Sequence, residues 1–148
     1  MTLRERITED MKAAMRSRDK DRLGLIRMLQ AAIKQREVDE RITLDDVQTL
    51  SVIDKMIKSR KESVVQFEAG ARADLVARES AEIAALVGYL PAQLAAADLD
   101  LLIREAMTAS GAASVKDMGK VMGIVKAKAA GRADMSAVGA RVKALLGG

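Results

Sequence analysis

Apolar residues recur every three or four positions along most of the chain, and alternation with period two is nearly absent. The intervening positions are mostly alanine, glutamate, lysine and arginine, which favour helices. Runs of β-branched residues, which would indicate strands, are missing. The pattern therefore predicts an all-α protein, with a four-helix N-terminal part followed by a three-helix C-terminal bundle.

Capping signals divide the first part of the chain into helices. Thr2-x-x-Glu5 has the form of a capping box and predicts a first helix that ends near Arg16. Asp19 predicts the start of a second helix. The apolar face of this second helix consists of Leu23, Ile26, Leu29 and Ile33.

Two more helices are predicted before the single proline. Thr43-x-x-Asp46 resembles a second capping box and opens a third helix, which Gly70 ends. The apolar stripe of this helix is interrupted at Arg60-Lys61. A fourth helix is predicted from about Ala73 to Tyr89.

Pro91 disfavours a helix at the residue before it, and the charge balance changes at the same point. We place a domain boundary at residues 90–97, with domains of residues 1–92 and 93–148. In the second domain, the fifth helix is predicted to begin at Asp98 or at the alanines before it and to end near Ala109. Ser114-x-x-Asp117 resembles a further capping box and opens a sixth helix to about Ala130, and Asp134 begins a seventh that ends at Leu146. Gly131 occupies the position at which a helix end favours a left-handed residue.

The composition excludes several kinds of chemistry. The chain has no histidine and no cysteine, which excludes zinc fingers, thiol nucleophiles and Ser-His-Asp triads. Its only aromatic residues are Phe67 and Tyr89, too few for a platform on which bases stack. We expect no catalytic residue, metal or cofactor. Lys55 and Ser59 have the spacing of a serine–lysine pair, but an exposed charged face explains them better.

The composition also suggests where the protein resides. The longest uncharged run covers 83–97 and is interrupted by Gly88 and Pro91, so we expect no membrane contact. Cysteine is absent, which suits a reducing interior. These observations predict a cytoplasmic protein.

Positive charge is concentrated near the C-terminus. Residues 113–148 carry only two acidic residues, Asp117 and Asp134. An excess of this kind attracts phosphate backbones, although it could also serve only to solvate helix faces. The basic residues of this segment are the candidate nucleic-acid contacts: Lys116, Lys120, Lys126, Lys128, Arg132, Arg141 and Lys143.

Two glycines lie one turn apart on the predicted sixth helix. Glycine costs about 1 kcal/mol relative to alanine inside a helix, so Gly119 and Gly123 indicate the close approach of another backbone. The seventh helix is the favoured neighbour, and a sugar-phosphate chain is the alternative. Together with Gly131 these residues are the predicted close-packing glycines.

Several ordered motifs resemble the GatB/YqeY family, which includes the tail of the B subunit of glutamine-dependent aspartyl/glutamyl-tRNA amidotransferase and small stand-alone proteins. The motifs are Asp10-Met11-Lys12, Arg60-Lys61-Glu62-Ser63, Arg72-x-Asp74-Leu75, Tyr89-Leu90-Pro91-x-Gln93-Leu94, the stretch 117–123, and Gly131-Arg132-Ala133-Asp134. The resemblance to the stand-alone type covers nearly the whole chain. One position departs from the family pattern, since Ala71 stands where the family usually has glycine.

The resemblance implies a role connected with tRNA. In the amidotransferase the tail helps to bind the tRNA body, while the glutaminase and the transfer site lie in parts that this chain lacks. It therefore implies a non-catalytic accessory protein that binds tRNA or another RNA through its basic C-terminal surface. The family's label as a carbon–nitrogen ligase with glutamine as amido donor belongs to the complex.

Two alternatives remain open. The chain could be a factor that joins the amidotransferase as a protein partner in tRNA amidation. It could also be a protein-interaction scaffold that uses the exposed face of the third and fourth helices.

Overall fold

A computed structural model describes residues 1–147, which contain α-helices, one short 3₁₀ helix and no strand. This confirms the all-α prediction. None of the helices within residues 1–147 is long and apolar enough to cross a membrane. The helices are α1 Leu3–Ser17, α2 Lys20–Glu40, α3 Asp46–Ala69, α4 Ala73–Val87, α5 Ala96–Ser110, the 3₁₀ helix Val115–Asp117, α6 Met118–Ala129 and α7 Met135–Leu145.

Contacts divide the chain into two compact units between Leu90 and Pro91. The N-terminal unit contains α1 to α4, and the C-terminal unit contains α5 to α7. Each unit has its own aliphatic core. The N-terminal core includes Ile7, Leu25, Ile26, Leu29, Ile33, Ile53, Ile57 and Leu86.

Local caps begin three of the helices as the sequence predicts. The Thr2 hydroxyl accepts a hydrogen bond from the Glu5 N–H at 3.1 Å, and the Glu5 carboxylate accepts one from the Thr2 N–H at 2.7 Å. Asp19 accepts from the Arg22 N–H at 3.1 Å, and Asp134 caps α7 by accepting from the Ser136 N–H at 3.1 Å.

Two predicted capping boxes are wrong. Asp45, not Thr43, caps α3, since its carboxylate accepts from the Gln48 N–H at 2.8 Å. Ser114 makes no side-chain cap, and a 3₁₀ turn precedes α6. The reason is that Asp117 turns back to accept from the Ala113 N–H at 3.0 Å and so closes a loop before the helix.

Arg60 continues the buried stripe of α3 and does not interrupt it. The side chain is 9% exposed, although it is charged. Its Nε donates to Glu82 of α4 at 2.9 Å and lies 3.9 Å from Glu79. These two carboxylates of the neighbouring helix offset the cost of removing the Arg60 charge from water.

The turn after α3 contains a strained residue. Gly70 has φ −85°, which any residue can adopt, whereas Ala71 has φ +56°. Alanine in the left-handed region costs about 1–2 kcal/mol because its Cβ approaches a carbonyl oxygen. The departure from the family pattern at Ala71 therefore falls on the residue whose backbone conformation favours glycine.

Tyr89 closes the N-terminal unit just beyond α4, which ends at Val87 and not at Tyr89. The tyrosine is 7% exposed, and its hydroxyl donates to Asp10 of α1 at 2.6 Å. The Arg6 guanidinium lies 4.9 Å from the centre of its ring. Burial, and then the bond to Asp10, holds the pKa of Tyr89 well above its ordinary value.

Candidate nucleic-acid interface

Helix α6 presents a face made only of small and basic residues. Val121, Val125 and Ala129 point into the core of the C-terminal unit and are fully buried. Helical geometry then turns the opposite side to solvent. That side, here called the α6 face, consists of the exposed residues Gly119, Lys120, Gly123, Lys126 and Ala127.

The two glycines of the α6 face are open. A Cβ built at Gly119 or Gly123 would meet nothing within 4 Å among the described residues outside the adjoining helix backbone. The expectation that they pack against the seventh helix is therefore wrong, because Val121 and Val125 form the inward side of α6. Gly131 differs from both, since it has φ +70° and ends the helix.

No acidic residue occurs from Met118 to Ala133, so the α6 face carries only positive charge. The nearest acidic residue along the chain is Asp117, whose carboxylate lies 4.0 Å from the Lys120 ammonium. The bond from the Ala113 N–H is the first reason that the pKa of Asp117 is below its ordinary value. Asp117 thus stays ionised, and Lys120 is only loosely attached to it.

Four of the predicted contact residues are exposed lysines without an ion pair. Among residues 1–147, no carboxylate oxygen lies within 4.0 Å of their ammonium groups. They are Lys116, Lys126, Lys128 and Lys143. Their charges are therefore available to an anion from solution.

Arg141 is engaged inside the protein. Its Nε and Nη2 donate to the two carboxylate oxygens of Asp100 on α5, each at 2.7 Å. These bonds are the first cause that lowers the pKa of Asp100 and raises the pKa of Arg141. A bidentate pair of this kind connects α7 to α5. Asp100 therefore competes with phosphate for the Arg141 guanidinium, which was predicted to contact nucleic acid.

Arg132 is also engaged. Its Nε donates to the Ala92 carbonyl at 3.1 Å, and its own carbonyl accepts from the Leu94 N–H at 2.8 Å. Gln93 adds a bond to the Gly131 carbonyl at 2.7 Å. Arg132 thus anchors the segment that follows Pro91 to the turn between α6 and α7.

The structure brings together part of the predicted site. Lys120 and Lys126 flank the open glycines on the α6 face, whereas the two arginines serve internal contacts. Sequence reasoning missed Ala127, which extends the row of small residues and would be found by placing α6 on a helical wheel. Within residues 1–147, no group of three or more metal-ligating side chains is positioned to hold a metal ion.

With this geometry established, comparison with known proteins identifies the family. The family model described as Yqey-like protein matches residues 4–146. The chain belongs to the Yqey-like protein family. The resemblance stated from the sequence motifs is thereby confirmed.

Several relatives of this Yqey-like protein carry the name Altered inheritance of mitochondria protein 41, mitochondrial. The protein of Pyrenophora tritici-repentis is 32% identical over 146 residues, which cover 96% of this chain and 80% of that protein. The protein of Kluyveromyces lactis is 36% identical over 84 residues, 56% of this chain and 45% of that protein. The protein of Saccharomyces cerevisiae (strain YJM789) is 31% identical over 93 residues, 62% of this chain and 50% of that protein. The match thus spans about half the length of the two yeast proteins.

These names contradict the prediction of a cytoplasmic protein and point to mitochondria. The prediction failed for a physical reason. A chain without cysteine cannot form disulfides in any compartment, so this absence does not distinguish one reducing compartment from another.

Proposed function

We propose that this Yqey-like protein is a non-catalytic accessory protein that binds tRNA through its C-terminal unit. The observation that carries the proposal is the α6 face, where open glycines lie between lysines and no carboxylate intervenes. Lys120 and Lys126 are its central contacts, and Lys116, Lys128 and Lys143 extend it.

The open glycines support contact with a nucleic-acid backbone. Each glycine destabilises the helix by about 1 kcal/mol relative to alanine. No described neighbour packs so closely that it would exclude the Cβ of an alanine at either position. Without a Cβ, a sugar-phosphate chain can approach the α6 backbone closely while lysines on both sides reach its oxygens. This accounts for a glycine at Gly123, on the exposed side of the middle of α6.

Contacts of this kind supply affinity without reading sequence. Lysine ammonium groups bind phosphates as point charges, and such bonds fix orientation but carry no base information. The C-terminal unit contains no aromatic residue on which bases could stack. We therefore expect several tRNAs to bind with similar affinity.

The choice of tRNA over other polyanions rests on the resemblance to the tail of the amidotransferase B subunit. The names of the relatives mention no RNA, so they neither add to this choice nor oppose it.

The alternative that the chain joins the amidotransferase predicts a change in the conversion of misacylated Glu-tRNA when the protein is added.

A filter-binding titration with unmodified tRNA tests the proposal. We expect binding at low salt that weakens steeply at moderate salt, and a clear loss in K120Q/K126Q. The matched control is K34Q/K61Q, which removes the same charge from exposed lysines of the N-terminal unit. Absence of tRNA binding by the unaltered protein at low salt would refute the proposal.

We also propose that the two predicted domains, residues 1–92 and 93–148, fold as a four-helix part and a three-helix bundle. The stretch from Pro91 to Ala95 lies outside α4 and α5, and four of its five residues are exposed. Limited proteolysis should therefore cut first within this segment and leave two resistant fragments.

A further inference from the structure

A groove of about 740 Å³ lies between α2 and α3 in the N-terminal unit. Its floor is apolar and consists of Met28, Ala32, Val52 and Met56. Met28 is 54% exposed, a large fraction for an apolar side chain beside a core. Methionine adapts its shape readily, so this floor suits an apolar partner surface.

The wall of the groove on α3, here called the α3 rim, offers uncommitted donors. Ser51, Lys55 and Ser59 occupy successive turns and are exposed. Within residues 1–147 neither serine hydroxyl has a hydrogen-bond partner, and no carboxylate lies within 4.0 Å of the Lys55 ammonium.

Other hydroxyls of the same helix behave differently. Thr49 donates to the Asp45 carbonyl at 2.8 Å, and Ser63 donates to the Ser59 carbonyl at 3.2 Å. This return to the backbone is the usual arrangement for serine and threonine inside a helix. The two serines that line the groove make no such bond.

The opposite wall, here called the α2 rim, carries an unpaired negative charge. Asp39 accepts from the Gln35 amide at 2.8 Å, and no cation of the described residues lies within 4.0 Å of it. Its neighbours are paired, since Glu40 binds Arg36 and Glu37 binds Arg4. Arg36 and Glu40 also line the α2 rim and neutralise each other, so Asp39 leaves this rim with one net negative charge. The groove thus has a basic α3 rim, an α2 rim of net negative charge and an apolar floor.

We propose that this groove binds an amphipathic helix of another protein, with its apolar stripe on the methionine floor, carboxylates facing Lys55 and a basic residue facing Asp39. The lining of the groove follows α3 from Ser51 to Arg60, which corresponds to about 14 Å and so to roughly two and a half turns of a bound helix. Helix-in-groove recognition uses apolar anchors at such spacing, and the two charged rims fix the direction and the side of the bound helix.

The opposite charges of the α3 rim and the α2 rim favour a helical partner over other occupants of the groove. An anionic amphiphile, such as a long-chain carboxylate, would complement Lys55 but would be repelled by Asp39 along the other wall. A bound helix has two flanks of independent charge and complements both rims at once.

The experiment is a display selection on the full-length protein. The probe is a library of 14-residue helices with leucine on one stripe and Glu or Lys randomised on both flanks. We expect selected helices to carry Glu on one flank and Lys on the other, and to bind less tightly, by roughly tenfold, when the two flanks are exchanged.

Protein variants assign the flanks. K55E should weaken a selected helix by about tenfold and favour its variant with Lys on the first flank, and D39K should do the same for the second flank. The matched control K61E makes the same charge change on α3 outside the groove and should leave binding unaltered. M28Q keeps a side chain of similar length but makes the floor polar, and it should weaken every selected helix.

Four outcomes would overturn the proposal. The first is selection without a flank preference, or no selected helix at all. The second is an equal effect of K55E and K61E. The third is binding of a laurate probe that K55E abolishes and D39K preserves, which would assign the groove to an anionic amphiphile. The fourth is a dimer of the chain alone that K55E dissociates, which would assign it to a second copy.

Discussion

The Arg141 guanidinium holds both carboxylate oxygens of Asp100 at 2.7 Å and so joins α7 to α5. Arg141 is one of the predicted phosphate contacts, and this bond engages its guanidinium within the C-terminal unit. We therefore expect R141Q to lower the melting temperature while changing tRNA affinity less than K120Q does. A larger effect of R141Q on tRNA affinity than on the melting temperature would contradict this assignment.

The same pair has a pH signature. Its hydrogen bonds to Arg141 lower the pKa of Asp100 below the ordinary 3.8, so the folded state favours the ionised carboxylate. The stabilisation is present above pH 3.8 and disappears as the pH falls through the lowered pKa. NMR titration should place the Asp100 pKa below 3.8 in the unaltered protein and closer to that value in R141Q.

Substitution of Gly123 by alanine should change protein stability and tRNA affinity in opposite directions. G123A adds a methyl group in open space within a helix, so it should raise the free energy of unfolding by about 1 kcal/mol. The same methyl group should weaken tRNA binding by about threefold or more, because it keeps the phosphate backbone away from α6.

The matched control for this experiment is G24A. Gly24 is also exposed in the interior of a helix, α2, with nothing within 4 Å of a built Cβ. G24A should give a similar stabilisation, measured by denaturant unfolding, and leave tRNA affinity unchanged. If G123A also leaves affinity unchanged, the glycines have no part in binding.

Ala71 offers a test of the turn after α3. A71G should stabilise the protein by about 1 kcal/mol, since relief of the left-handed strain exceeds the added entropy of the unfolded chain. G70A should be tolerated, because φ is −85° and its Cβ would lie 3.5 Å from the Gln66 carbonyl oxygen, an ordinary van der Waals distance. Thermal melts of both variants check this, and destabilisation by A71G would show that the turn has another conformation.

Tyr89 predicts a loss of stability in alkali. Burial and the bond to Asp10 raise the pKa of Tyr89 above the ordinary 10.0, so the folded state retains a proton that the unfolded state releases. Stabilisation from Tyr89 is therefore complete below pH 10.0 and falls as the pH rises from there towards the raised pKa. Unfolding curves should show this decline, and Y89F, which has no phenol proton to lose, should lack that part of it.

Features set by neighbouring residues could be predicted from the sequence. Thr2, Asp19 and Asp134 cap helices through bonds to residues two or three positions away, so their signals are local. Where adjacent residues compete, the prediction failed. Asp46 accepts from the Leu3 N–H at 3.0 Å, a bond across 43 positions, and Asp45 takes the cap of α3.

Features set by distant residues could not be predicted. Arg60 is buried because Glu82, 22 positions away, supplies its charge partner. Arg132 and Arg141 are held by Ala92 and by Asp100, each about 40 positions away, so sequence alone could not separate them from the free lysines. The α6 face itself could have been predicted from the sequence, because helical periodicity places Lys120, Gly123 and Ala127 on one side of α6.

The most direct test of the proposed function is the salt dependence of tRNA binding. A plot of log Kd against log salt concentration should be steep for the unaltered protein, and its slope should fall by about two to three in K116Q/K120Q/K126Q, since each phosphate contact contributes nearly one. K20Q/K34Q/K61Q, with the same net charge, should keep the original slope. Equal slopes for the two triple variants would contradict binding through the α6 face.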